Sequence, residues 1–218
     1  MSAVIFDLDG TLIDNTELLL AGFRYAYQVH NLEYPGDEYI FSQFGQPLKK
    51  FLQKLPGEIR DSFRVKFRSF AHNYKKVKYH AGIPELLEKL GDSIGIVTSK
   101  EGAGLKLVNK TMRLDKYFKV MISSTDIKHP KPSAEGILLA LRKLGVEPSY
   151  NSCYVGDTII DIEAARNAKV SGIGIGWSRS APQLKLLADK YENVYFAESI
   201  HDLENIIIRI SGRHLSYN

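Results

Sequence analysis

The chain has 218 residues, of which 44% are hydrophobic and 25% charged, and it carries a formal net charge of +4 at pH 7. This is the composition of an ordinary globular protein, long enough for one large domain or for one domain with a smaller second one. No stretch approaches the roughly 18 uninterrupted apolar residues of a membrane-spanning helix, and the N-terminus lacks the basic segment of a secretion signal. Cys153 is the only cysteine, which excludes an intrachain disulfide, so we expect a cytoplasmic protein.

The positive charge, with a pI of about 9.0, would suit an anionic partner. The basic residues are nevertheless spread along the chain, without zinc-ligand spacing or a basic region that continues into heptads. We therefore expect a small anionic substrate as the partner, and neither nucleic acid nor a membrane. The pattern predicts no particular oligomeric state.

The first predicted element is a strand at 3–6, "AVIF". From 15 to 79 the pattern is helical, without a convincing strand. Thr16 is the expected N-cap of the first of these helices. The segments 47–55 ("PLKKFLQKL") and 57–76 predict further helices, set off by Pro-Gly pairs. We expect this helical stretch to be a separate, mobile unit.

The strand pattern then resumes, with intervening segments whose apolar residues recur at helical spacing. Gly91 and Gly145 stand where helix C-caps belong. Apolar strands that alternate with amphipathic helices predict an α/β fold, a doubly wound parallel sheet covered by helices on both faces. We expect residues 1–14 and 80–218 to form this core and residues 15–79 to form a small all-α cap domain. The later strands are predicted at 93–99, 119–124, 152–156, 171–176 and 193–197.

Polar residues follow several of the predicted strands. Asp7 and Asp9 come after the first strand, and Thr98 and Ser99 after the second. Because ligands bind at the carboxyl ends of parallel strands, we expect these side chains to converge at one edge of the sheet. Each of them alone would be explained as a helix cap or a solvated side chain, but their joint occurrence at successive strand ends indicates a site. Asp157, Asp161 and Lys131, in the loop "HPKPS", complete the set.

The chemistry of this set is that of phosphoryl transfer. Clustered carboxylates repel one another, and a hard divalent cation such as Mg²⁺ relieves the repulsion. Lys131 offers a positive charge, and Thr98 a hydroxyl donor, to a tetrahedral anion. Asp7 beside Mg²⁺ is a feasible nucleophile, because carboxylates form aspartyl-phosphates. Asp9 can give a proton to the leaving oxygen and later take one from water.

Four motifs resemble those of the haloacid dehalogenase (HAD) superfamily in order and spacing. They are "DLDGT" at 7–11, "IVTSK" at 96–100, "KP" at 131–132 and "VGDTIIDIEAA" at 155–165. Within that superfamily the chain is similar to the phosphoglycolate phosphatase-like branch, whose helical cap follows the first motif. The resemblance implies a Rossmann-like core with Mg²⁺ as cofactor.

The resemblance also implies a role for each motif residue. Asp7 would be the nucleophile, and Asp9 the general acid/base, with its backbone carbonyl on the metal. Asp157 would be the third metal ligand and Asp161 would support the metal shell. The transferring phosphoryl group would be bound by Thr98, Lys131 and the backbone amides of Leu8 and Ser99. Ser99 departs from the family pattern, which usually has Asn there.

We therefore predict a Mg²⁺-dependent phosphatase that hydrolyses a small phosphomonoester, with phosphoglycolate as the natural candidate, through an aspartyl-phosphate. A β-phosphoglucomutase-like sugar phosphomutase is the alternative, because it shares all four motifs. A dehalogenase needs no Mg²⁺ and normally lacks the second aspartate, here Asp9; a receiver-like signalling domain is shorter and has no helical insertion. Basic residues of the cap, Lys49, Lys50, Arg64 or Arg68, are candidates for holding a second anionic group.

Overall fold

A computed structural model describes residues 2–71 and 77–212 of the chain. Its strands are β1 (Val4–Phe6), β2 (Ile13–Asp14), β3 (Lys78–Tyr79), β4 (Ile94–Val97), β5 (Val120–Ile122), β6 (Cys153–Gly156), β7 (Ser171–Ile175) and β8 (Val194–Ala197). Six of these form one sheet in the order β5-β4-β1-β6-β7-β8, and every neighbouring pair is parallel. The six strands predicted from apolar runs are the six strands of this sheet.

The helices separate the strands as the sequence pattern predicts. They are α1 (Thr16–Val29), α2 (Asp37–Phe41), α3 (Leu48–Leu52), α4 (Arg60–Ala71), α5 (Ile83–Leu90), α6 (Gly102–Met112), α7 (Glu135–Leu144), α8 (Ile159–Asn167), α9 (Ala181–Lys190) and α10 (Ile200–Ser211). Short 3₁₀ turns lie at Gly57–Ile59 and Leu114–Lys116. As expected, Gly91 and Gly145 are the C-caps of α5 and α7.

Both faces of the sheet are covered, as β1 illustrates. Val4 and Phe6 belong to a cluster that includes the apolar residues of α5, α6 and α10, whereas Ile5 belongs to a second cluster with α7 and α8. Successive residues of a strand point to opposite faces, so a strand that is apolar at every position must be buried on both. The doubly wound α/β architecture is therefore confirmed.

The helices α1 to α4 bury an apolar cluster of their own, apart from the two sheet clusters. Phe23 is at its centre, with its ring centroid 4.9 Å from that of Phe51 and 4.5 Å from that of Phe67. Residues 72–76, the end of one predicted helix, lie outside the described residues. The division into a core and a cap at residues 15–79 stays a prediction.

Two local features differ from the sequence pattern. β2 and β3 pair in antiparallel fashion, Ile13 with Tyr79 and Asp14 with Lys78, although the sequence pattern predicts no strand between residues 7 and 79. A two-residue strand is too short to show a period, and its partner is distant in sequence. Helix α1 has Asn15, not Thr16, at its N-cap, one residue earlier than expected. Within the described ranges, no helix has both the length and the apolar character needed to cross a bilayer.

Candidate active site

The ends of the neighbouring strands β1 and β6 bring two predicted site residues together. Phe6 is in register with Val155, and the backbone N–H of Asp7 donates to the Val155 carbonyl at 2.8 Å. Asp7 and Asp157 therefore follow adjacent strands directly. With Asp161, in the first turn of α8, they form a buried group in which one carboxylate oxygen from each residue lies within 4.8 Å of the other two.

Lys131 lies beside this group of acids, with its side chain almost completely buried. Its Nζ is 3.1 Å from Asp7 Oδ1 and 2.6 Å from Asp161 Oδ1, and it donates to the Tyr154 hydroxyl at 3.1 Å. Burial by itself would lower the pKa of Lys131, but attraction by Asp161 and Asp7 raises the pKa well above its usual value. Lys131 is therefore a permanent positive charge beside the predicted nucleophile.

The charges of the acidic group are not fully balanced. Burial raises the pKa of Asp7 to about 7, although Lys131 opposes the rise. The pKa of Asp157 is raised well above its usual value by burial and then by repulsion from Asp161 and Asp7. In addition, Asp7 Oδ1 receives no hydrogen bond from the described residues, although Lys131 lies within ion-pair distance. These carboxylates need a further cation if they are all to be ionised.

The donor atoms fit a hard divalent cation, because such ions prefer carboxylate oxygens. Asp7 has an oxygen without a hydrogen bond, and Asp157 Oδ1 accepts a single 3.2 Å bond from the Thr11 hydroxyl. Asp161 is more heavily engaged: Oδ2 accepts from the Thr158 amide at 3.0 Å and hydroxyl at 2.6 Å, and Oδ1 contacts Lys131. The geometry thus suits Asp7 and Asp157 as ligands and Asp161 as a support behind them.

Asp9 is not a member of the group of three acids; its carboxylate is held separately. Asp9 Oδ1 accepts a hydrogen bond from Asn15 Nδ2 at 2.5 Å, and Oδ2 lies 3.0 Å from Lys100 Nζ. Asn15 is buried at the N-cap of α1, so the start of this helix positions the acid. An acid next to the nucleophile but outside the metal group is suited to proton transfer.

Thr98 and Ser99 follow β4 as expected, but their hydroxyls have different surroundings. Thr98 is buried, lines the cavity described below, and accepts from the Lys100 amide at 3.2 Å. The Ser99 hydroxyl donates to the Gly45 carbonyl at 2.5 Å. With this bond made, the backbone amide is the group of Ser99 that stays a candidate for phosphate binding.

A cavity of about 130 Å³ lies between the sheet edge and the helices α1, α3 and α4. Asp7, Asp9 and Asp157 line it from the sheet, and phenylalanines line it from the helices. An ion pair between Arg68 and Glu101 crosses from α4 to the sheet side. A Cβ at Gly45 would lie 2.8 Å from Thr158 Oγ1, so the helical segment is closed tightly over the strand ends.

The four basic residues considered for a second anionic group are not equivalent. Arg68 lines the cavity. Arg64 pairs with Asp61 one helical turn away, and Lys49 and Lys50 are exposed on α3. Only Arg68 of these four is placed to contact a ligand in the cavity.

Three residues near the acids were not assigned a role from the sequence. Lys100 and Asn15 contact Asp9, and the buried Tyr154 hydroxyl donates to the Val97 carbonyl at 2.7 Å while accepting from Lys131. Tyr154 is part of an apolar strand, so its pattern indicates core. Lys100 directly follows a recognised motif, and that position was the available signal.

The chain is similar in sequence to proteins that are already known. The sequence profile described as haloacid dehalogenase-like hydrolase matches residues 4–175. The pyrophosphatase PpaX of Bacillus velezensis is 32% identical, over 94% of this chain and 96% of that protein. The pyrophosphatase PpaX of Oceanobacillus iheyensis is 30% identical, over 94% and 95%.

Solved structures show the same fold. A hydrolase from Pseudomonas syringae superposes with a TM-score of 0.81 over 97% of this chain and 100% of its own, at 23% identity. A predicted phosphoglycolate phosphatase from Haemophilus somnus also gives 0.81, over 94% and 97%, at 20% identity. Both likenesses cover the sheet and the helical segment together.

Proposed function

Because the chain belongs to the haloacid dehalogenase-like hydrolase family, we propose that it is a Mg²⁺-dependent phosphatase acting through an aspartyl-phosphate on Asp7. The observation that carries this proposal is the burial of Asp7 beside both Asp157 and the Lys131 ammonium. A buried carboxylate that faces a fixed cation and an acidic metal group is suited to attack an anionic phosphoryl group.

Asp7, Asp157 and the backbone carbonyl of Asp9 would hold the metal, and Asp161 would orient Lys131 and the start of α8. Bound Mg²⁺ supplies positive charge that offsets the repulsion between the carboxylates and the charge of the phosphoryl oxygens. The chain's own cation, Lys131, together with Thr98 and the amides of Leu8 and Ser99, would bind the phosphoryl oxygens.

The reaction has two steps. In the first, an Asp7 oxygen forms a bond to phosphorus while the bond from phosphorus to the leaving oxygen breaks, and Asp9 gives that oxygen a proton. In the second, Asp9 takes a proton from water as the water oxygen bonds to phosphorus. The bond between phosphorus and Asp7 breaks, which releases phosphate, restores the Asp7 carboxylate and leaves Asp9 protonated for the next cycle.

The helical segment at residues 15–79 would act as a cap that keeps bulk water from the site during the first step. Its closed position supports this role, since Gly45 contacts both Ser99 and Thr158 across the interface. We place the enzyme in the cytoplasm, in keeping with its lone, buried Cys153.

The substrate would be a small phosphate compound with a second anionic group. The two relatives above are named pyrophosphatases, which favours pyrophosphate, and the motif resemblance favours phosphoglycolate. Both molecules are short enough for a cavity of this size, and both carry negative charge beyond the transferring phosphoryl group.

The proposal is tested by measuring phosphate release from a panel of substrates with Mg²⁺ and with EDTA. The panel comprises pyrophosphate, phosphoglycolate, β-glucose 1-phosphate and p-nitrophenyl phosphate. We expect metal-dependent release, and we expect Asp7→Asn to lower kcat by at least about 10³-fold, because the nucleophile is lost. Asp14→Asn is the matched control, since Asp14 is exposed on β2 and outside the cavity.

Wild-type turnover by Asp7→Asn would contradict the assignment of the nucleophile, and equal rates in EDTA would contradict the metal. A requirement for a sugar bisphosphate, with the phosphoryl group returned to the sugar, would identify a phosphomutase instead.

A further inference from the structure

Two residues that line the cavity in the described part of the chain carry positive charge, Lys100 and Arg68. Each contacts a carboxylate. Lys100 Nζ is 3.0 Å from Asp9 Oδ2, whereas Arg68 forms an ion pair with Glu101 across the interface between the helical segment and the sheet. The two pairs differ in one respect that decides their roles: Asp9 takes part in the proposed reaction and Glu101 does not.

We propose that Lys100 is a specificity-determining residue that recognises a negative charge on the leaving group. The substrate class would then be phosphorylated anions, such as pyrophosphate or a phosphorylated carboxylate, in preference to phosphate esters of uncharged alcohols. This inference rests on the proposed function, because it takes Asp9 as the residue that serves the leaving oxygen.

The position of Lys100 follows from the contacts of Asp9. The leaving oxygen must come within hydrogen-bond distance of an Asp9 oxygen, about 2.6–3.2 Å, to receive its proton. Asn15 Nδ2 donates to Oδ1 at 2.5 Å, whereas Oδ2 faces Lys100 Nζ at 3.0 Å, so we take Oδ2 as the oxygen that serves the leaving group. A leaving oxygen bound at Oδ2 lies within about 6 Å of Lys100 Nζ, and the rest of the leaving group is one or two bonds away.

The surroundings of Lys100 strengthen its charge. Its side chain is 10% exposed, so water and salt screen the ammonium only weakly. Lys100 also directly follows Ser99, whose hydroxyl contacts Gly45, so the closed helical segment covers this part of the cavity. An anionic group that enters here meets a cation that has little competing solvation.

Arg68 is less suited to this task. Its guanidinium is matched by the Glu101 carboxylate, and nothing in the reaction separates the two. An anion beside Arg68 would also lie beside Glu101, and the attraction to one would be offset by repulsion from the other. The comparison therefore singles out Lys100.

The experiment measures a selectivity ratio, which a general loss of activity leaves unchanged. The ratio is kcat/KM for phosphoglycolate divided by kcat/KM for 2-hydroxyethyl phosphate, which has a hydroxymethyl group in place of the carboxylate. We expect Lys100→Met to lower this ratio at least tenfold and Lys100→Arg to preserve most of it. Lys50→Met, which removes the same charge from the exposed face of α3, should keep the ratio within about twofold of wild type.

An unchanged ratio in Lys100→Met, at any absolute rate, would overturn the proposal. It would show that Lys100 acts on Asp9 alone. If Lys100→Met does not fold, as judged by circular dichroism, Lys100→Gln provides the same comparison.

Binding separates this inference from the proposed function. In the Asp7→Asn background, calorimetric titration with pyrophosphate and with methyl phosphate should show that Lys100→Met weakens pyrophosphate binding at least tenfold more than methyl phosphate binding. A wild-type protein that releases no phosphate while this difference persists would refute the phosphatase and support the role of Lys100. If the wild type turns over substrate and Lys100→Met weakens the binding of pyrophosphate and methyl phosphate equally, the phosphatase is supported and the role of Lys100 is refuted.

Discussion

At the scale of single residues, burial decides how the predicted acids behave. Asp7 is 4% exposed, and this burial, more than its neighbours, raises its pKa to about 7. In water a carboxyl group titrates near 4, so between about pH 4 and about pH 7 the folded protein without metal holds a proton on Asp7 that the unfolded chain releases. An ionised Asp7 therefore lowers the stability of the folded protein, and a bound cation can restore that stability.

This leads to a prediction for the metal-free protein. Since the folded-state pKa of Asp7 is above its ordinary value of 3.8, the ionised residue destabilises the fold increasingly as the pH rises from about 3.8 to about 7. The Asp7→Asn side chain does not ionise, so the stability of this variant relative to wild type should increase across this window, by up to about 4 kcal/mol. Urea unfolding in EDTA at several pH values measures the difference.

Two results would check the reasoning. Saturating Mg²⁺ should cancel the gain of Asp7→Asn at pH 8, because the wild-type carboxylate then has its cation. A stability difference that stays constant between pH 5 and pH 8 without metal would contradict the role of burial at Asp7.

At the scale of elements, the turns after β1 and β6 approach each other so closely that one position must be glycine. Gly10 has φ +79°, and a Cβ there would lie 2.3 Å from Asp157 Oδ2. The left-handed backbone turns the chain after Asp9 toward β2, and the missing side chain leaves room for the Asp157 carboxylate. The shape of the acidic group thus depends on a residue without a functional side chain.

Gly10→Ala should therefore disturb the metal site as well as the backbone. We expect a loss of about 1–2 kcal/mol from the left-handed conformation and a drop of at least about tenfold in Mg²⁺ affinity, because Asp157 must move. Gly145→Ala is the control: Gly145 has φ +68° at the end of α7, and nothing lies within 4 Å of its added Cβ. It should lose similar stability and keep wild-type metal affinity, measured by the Mg²⁺ dependence of the melting temperature.

The reverse pattern would count against this account. If Gly10→Ala binds Mg²⁺ as well as Gly145→Ala does, Asp157 does not depend on the space at Gly10.

At the scale of the whole molecule, the chain has apolar clusters that belong to different parts. The cluster of α1 to α4, around Phe23 and Phe63, is separate from the clusters that pack on the sheet. Contacts between the two parts include the ion pairs Arg68–Glu101 and Arg179–Glu17. Polar contacts of this kind are typical of parts that move relative to each other.

Phe63→Ala tests this division. Phe63 is fully buried in the helical cluster, and truncation of such a residue costs about 3–5 kcal/mol. If the helices open independently, the protection of backbone amides against hydrogen exchange should fall about 10²-fold in α1 and α4. It should stay at the wild-type level in β1 and β6. Leu186→Ala, at a position 67% exposed, is the control and should change neither part.

Loss of protection to the same extent in the helices and the sheet would mean that the chain unfolds as one unit. The boundaries at residues 15–79 would then have no energetic meaning.

The sequence predicts the long elements of this protein well and the shortest ones poorly. The runs at β1, β4 and β7 are apolar at nearly every position, and this pattern identifies buried parallel strands without knowledge of their neighbours. The pair β2–β3 and the five-residue helix α2 are too short to show a period, so they were missed. Short elements form because their partners are near in space, which local pattern does not record.

By itself, the sequence determined the class of fold and the acids that meet at one edge of the sheet. It could do so because parallel strands place the residues that follow them side by side, whatever the loops do. Only the tertiary structure decided which partner each polar group has: Lys131 beside Asp7, Lys100 beside Asp9, and the Ser99 hydroxyl on the helical segment. These pairings depend on distances of about 3 Å between residues far apart in the chain, and no periodicity in the sequence encodes them.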